Sequence, residues 1–77
     1  MSSLTPYFNY KCHVEFGVQG LEATGKLSTV LGLLKGWVED YGLCEFQFFL
    51  EDESKEEEVL GFILQELKDH QQSAQGN

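Results

Sequence analysis

The chain has 77 residues, with 13 acidic and 5 basic side chains and a formal charge of −8, and it is 42% hydrophobic and 13% aromatic. These values describe one small acidic domain, too short to enclose the pocket of a multidomain enzyme. No apolar run approaches the roughly 20 residues of a membrane helix, and Met1-Ser2-Ser3-Leu4-Thr5-Pro6 has neither the basic region nor the apolar stretch of a signal peptide, so a cytoplasmic setting is expected.

From Phe8 to Val18 the even positions are Phe8, Tyr10, Cys12, Val14, Phe16 and Val18, and the odd ones are Asn9, Lys11, His13, Glu15 and Gly17. That period of two predicts a half-buried strand. After Gln19-Gly20 the alternation resumes, with Leu21, Ala23 and Leu27 on one side and Glu22, Thr24 and Lys26 on the other. A two-residue hairpin follows, pairing Val18 with Leu21, Phe16 with Ala23, Val14 with Gly25 and Cys12 with Leu27, and setting Lys26 beside His13.

Ser28 is placed to cap a helix whose apolar side carries Val30, Leu31, Leu33, Leu34, Trp37, Val38 and Tyr41. Gly42 ends it, with Leu43 as the apolar contact beyond. Leu43 to Glu51 alternates again, with Cys44, Phe46, Phe48 and Leu50 inward and Glu45, Gln47, Phe49 and Glu51 outward. Ser54 and Glu57 have the spacing of a capping box before a second helix with Val59, Leu60, Ile63, Leu64 and Leu67 as its buried stripe.

The predicted fold is α+β in the order β-β-α-β-α. A right-handed crossover gives a three-stranded antiparallel sheet of order 2-1-3 with both helices on one face. Lys11, His13, Glu15, Gln47 and Phe49 would lie on the uncovered face. The expected organisation is an N-terminal extension over 1–6, one domain over 7–70 and a disordered polar tail over 71–77.

Candidate chemistry is sparse. Gly20-Leu21-Glu22-Ala23-Thr24-Gly25-Lys26 has the glycine and lysine spacing of a phosphate-binding loop, and Phe46 to Glu53 resembles the apolar strand ending in an acid that holds magnesium there. Leu27 stands where a magnesium-binding hydroxyl belongs, and Glu22 would set a carboxylate among phosphates. The hairpin reading explains the same residues. Cys12 and Cys44 are expected as buried core thiols. His13 and Glu15 share an open face without a pocket, and His70 is placed to complement the dipole near the second helix's end. The acidic run lacks the alternating ligand spacing and central glycine of a calcium loop. Neither an enzymatic activity nor a cofactor or metal is expected.

All the basic residues are lysines, Lys11, Lys26, Lys35, Lys55 and Lys68. Without arginine's bidentate fork, direct nucleic-acid binding is disfavoured. Residues 1–38 hold two acids and three lysines, whereas residues 39–77 hold eleven acids and two lysines. The run Glu51-Asp52-Glu53-Ser54-Lys55-Glu56-Glu57-Glu58 places more carboxylates at a helix start than its dipole needs. Phe49 and Phe62 are the aromatics a single core accommodates least. Gly32 and Gly36, on the polar side of the first helix, would offer another backbone a smooth groove.

The expected function is therefore a non-enzymatic protein-binding module that occupies a basic partner surface. Its binding residues would be Glu39, Asp40, Glu45, Phe49, Glu51, Asp52, Glu53, Glu56, Glu57, Glu58 and Phe62. An inhibitor that mimics nucleic acid on a nucleic-acid-binding protein is the sharpest form of this expectation. The alternative is an accessory subunit that forms a homodimer through the uncovered sheet face. No membrane partner is expected.

Overall fold

The computed structural model describes residues 3–17 and 20–75, with side chains through residue 72. β1 (Lys11–Phe16), β2 (Glu22–Lys26) and β3 (Phe46–Leu50) form an antiparallel sheet in the order β2-β1-β3, with α1 (Leu27–Tyr41) before β3 and α2 (Glu56–Gln75) after it. This is the predicted small α+β fold. Cys12, Val14 and Phe16 of β1 are buried with Phe48 and Leu50 of β3, Val30, Leu31, Leu34 and Val38 of α1, and Val59, Ile63 and Leu67 of α2. Among the outward residues, Lys11, Glu15, Gln47 and Phe49 are exposed and His13 is half-buried.

The hairpin register differs from the expected one by two residues. Val14 lies opposite Ala23, Cys12 opposite Gly25, His13 opposite Thr24 and Lys11 opposite Lys26. Lys26 is therefore not the neighbour of His13. A shift of two keeps every side chain on its expected face, so periodicity alone does not distinguish the two registers. Leu27 makes the difference: it opens α1 instead of ending β2. The expected partner Val18 lies outside the described residues.

The ends of other elements also move. β1 begins at Lys11 because Thr5–Tyr7 forms a 3-10 turn, with Phe8 and Tyr10 packed half-buried against the core. Leu4, within the expected N-terminal extension, is fully buried in the core. The carbonyls of Tyr10 and Phe8 accept the N–H groups of Leu27 (2.9 Å) and Ser28 (3.2 Å). Two amides of the α1 start are thus satisfied by backbone, and Ser28 is not the cap; Lys26 holds that position without a side-chain bond. Gly42 closes α1 at φ 85°, donating its N–H to the Val38 carbonyl.

β3 starts at Phe46, so the alternation does not extend back to Cys44, which is exposed rather than inward. The chain instead crosses Gly17 closely, where an added Cβ would lie 2.7 Å from the Glu45 carbonyl oxygen. At α2 the expected Ser54–Glu57 capping box is replaced by a 3-10 turn over Glu53–Lys55, capped by Asp52. The helix runs on to Gln75, within the stretch expected as a disordered tail, which leaves His70 well inside it. Residues 76 and 77 lie outside the described residues.

Gly32 and Gly36 have open space where a Cβ would project. Each glycine costs a helix interior roughly 0.8–1.0 kcal/mol relative to alanine. The Gly32→Ala, Gly36→Ala double variant is expected to gain roughly 1–2 kcal/mol in urea denaturation. A loss of stability would show that these positions make a close approach.

Candidate acidic interface and the β3 edge

The strand directions divide the expected binding residues between two ends of the sheet. Glu39 and Asp40 end α1 and Glu45 precedes β3, whereas Glu51 to Glu58 follow β3 and open α2. The five residues of β3 separate these groups, roughly 17 Å of strand. Phe49 and Phe62 are not brought together. Phe49 is 47% exposed on the outer sheet face, its ring 6.0 Å from that of His13. Phe62, on α2, is half-buried near Tyr7, with ring centroids 6.5 Å apart.

Several of the acids serve the fold. Asp52 Oδ1 accepts from the Ser54 hydroxyl (2.6 Å) and the Ser54 N–H (3.1 Å). The hydroxyl bond chiefly holds the Asp52 carboxyl below the usual carboxylate range. Glu58 Oε2 accepts from the Tyr7 hydroxyl at 2.6 Å, a bond that raises the phenol's pKa. Glu51 takes a long bond from the Lys11 N–H at 3.4 Å. Glu39 Oε2 meets His70 Nε2 at 2.5 Å, so that histidine joins α1 to α2 rather than serving a helix end. By contrast, the carboxylates of Asp40, Glu45, Glu53 and Glu57 have no hydrogen-bond or ion-pair partner among the described residues. Lys35 and Glu66, 3.4 Å apart, form the sole lysine–carboxylate ion pair among those residues.

Glu56 has a further role that the sequence pattern did not reveal. Glu51 N–H donates to the Lys11 carbonyl (2.9 Å), and Phe16 N–H donates to the Leu21 carbonyl (2.9 Å). In an antiparallel ladder these bonds alternate, so the odd residues of β1 bond β3 and the even ones bond β2. The amides and carbonyls of Phe46, Phe48 and Leu50 consequently face the free edge of β3. Glu56 Oε1 accepts the outward Leu50 N–H at 2.9 Å. No hydrogen bond from the described residues reaches the outward groups of Phe46 and Phe48.

Glu56→Ala is expected to cost about 1–2 kcal/mol in urea denaturation by removing a charged acceptor from a half-buried amide, and Glu56→Gln is expected to cost less. Equal stability of all three proteins would remove this carboxylate from the fold's support.

Beside the open edge lies a groove of about 540 Å³ lined by Leu43, Cys44, Glu45, Phe46, Leu60 and Leu64. Leu43, Phe46 and Leu60 are packed half-buried against the core, and Leu64 is half-buried beside them. Periodicity predicts Leu60 and Leu64 in the buried stripe of α2, but both are only half-buried, because how far each is covered depends on how α2 crosses the sheet. A second hollow of about 650 Å³, touching Glu15, Tyr41 and Gln47, lies across the Cys44–Phe46 segment and is also open to solvent.

Comparison with protein-family models, curated proteins and solved structures returned no match. No helix of the described residues is long and apolar enough to cross a membrane.

Proposed function

We propose that this chain is a non-enzymatic cytoplasmic binding module that engages a basic protein surface. The observation that carries the reading is the set of carboxylates the fold leaves unused: Asp40, Glu45, Glu53 and Glu57 lack partners among the described residues. At a net charge of −8, like charges held without counterions raise the free energy of the compact state, and a cationic partner relieves that repulsion. Asp52, Glu56 and Glu58 hold the backbone and Tyr7 in place and so shape the acidic corner. Their role is support. Occupation of a site that otherwise accepts nucleic acid is the most specific form of this function.

Titration of the isotope-labelled protein with oligolysine tests it. The expected amide shifts concentrate at Glu45 and at Glu53 to Glu57 and weaken as salt shortens the Debye length. Shifts spread evenly over the chain, or indifferent to salt, would sink the reading.

A second reading is self-association through the outer sheet face, which has charge of opposite sign at its two ends. Lys11 lies opposite Lys26 at one end and Glu15 opposite Glu22 at the other. A copy turned by half a rotation would set lysines over glutamates with Phe49 near the centre. A dimer in sedimentation that Phe49→Asp disrupts would favour it.

A further inference from the structure

We infer that the free edge of β3 and the groove beside it accept one extended segment of a partner protein as a fourth strand, its alternate side chains apolar and its ends basic. The inference rests on the proposed basic partner for the charge of those ends. Its geometric basis is separate: unpaired outward amides and carbonyls at Phe46 and Phe48 border an apolar hollow lined by Leu43, Phe46, Leu60 and Leu64.

Main-chain bonds along an exposed edge supply affinity in strand addition, and pockets for every second side chain supply selection. Both are present here. α2 covers the inner side of β3, so side chains pointing inward from an added strand would meet Leu60 and Leu64, while the intervening ones would lie beside Gln47 and Phe49. Glu56 sets one limit of the opening by occupying the Leu50 N–H. The accessible edge is thereby confined to Phe46 through Phe48.

Charge selects the occupant. Glu45 lies before the open stretch and Glu51, Glu53 and Glu57 follow it, so a strand laid there has carboxylates near both ends. Lysine or arginine flanking the apolar residues matches that pattern. A second copy of this chain does not, because pairing β3 with β3 would bring the same acids together between two molecules of charge −8. The other edge is a poorer host: β2 carries the polar side chains of Glu22, Thr24 and Lys26 there, and neither hollow described above is lined by its residues.

A synthetic peptide alternating valine and threonine between terminal lysines is the probe. Its controls are the same peptide N-methylated at the amides that would bond β3, and a version with glutamates in place of the lysines. Binding is followed by fluorescence titration, and protection of the Phe46 and Phe48 amides by hydrogen exchange. The expected result is protection of both amides and at least roughly tenfold weaker binding after N-methylation, the effect of losing about two backbone bonds. Equal binding of the N-methylated peptide overturns strand addition while leaving attraction of basic partners standing. Equal binding of the glutamate version, with N-methylation still harmful, upholds strand addition at the edge and contradicts selection by charge. Failure of the lysine peptide to bind at low salt overturns the inference.

Discussion

Phe16→Ala is expected to lose about 3–5 kcal/mol of stability, a large part of what a domain of this length holds. Phe16 is 5% exposed, and its ring lies 5.6 Å from that of Trp37 and 6.3 Å from that of Phe46. It thus joins the central strand to α1 and to the start of β3. Truncation removes the apolar area and leaves a void that those two half-buried rings cannot both fill. Phe16→Leu retains most of the volume and should cost much less. Urea denaturation distinguishes the outcomes. An alanine variant within about 0.5 kcal/mol of the parent, the range of an ordinary surface change, would show that this aromatic group is not central to the core.

The second large effect is a loss of stability in alkali. Cys12 is 4% exposed, and burial pushes its thiol from an ordinary value of 9.0 up to about 11. The folded state therefore holds the proton more tightly than the unfolded one. The resulting stabilisation is fully present below pH 9 and is lost as pH rises toward 11. It amounts to roughly 2–3 kcal/mol. The stability of the parent should fall more steeply over that interval than that of Cys12→Ala. Parallel profiles would show that the thiol ionises as easily in the fold as outside it. Exposed Cys44 should react with a thiol reagent in the native protein while Cys12 is protected.

What the sequence made legible follows from which physical constraint each feature obeys. Strand faces depend on a period of two, so Cys12, Val14, Phe16, Phe48 and Leu50 were identifiable as core, and the sheet order followed from connection rules. Register was not legible, because a shift of two satisfies the same alternation and only the role of Leu27 as the first helical residue decides it. Ser28 and Ser54 had suitable cap chemistry, but the carbonyls of Phe8 and Tyr10 and the carboxylate of Asp52 reached the amides instead. Those are tertiary or turn geometries. The acidic run was visible as charge, whereas its division into Asp52, Glu56 and Glu58, which hold the fold, and Glu53 and Glu57, which do not, required distances. The open edge at Phe46 and Phe48 was hidden for the same reason, since it follows from ladder phase and from where α2 begins.

Carboxylates unused by the fold are proposed to form the surface that meets a basic partner. The decisive quantity is the affinity for oligolysine of a Glu45→Gln, Glu53→Gln, Glu57→Gln variant, with Glu15→Gln, Glu22→Gln, Asp69→Asn as a control of equal charge. Roughly tenfold weaker binding is expected for the first variant at low salt, from about 0.5 kcal/mol per exposed charge, and a clearly smaller change for the control. Equal losses in the two proteins would mean that net charge alone governs binding and that these three carboxylates form no such surface.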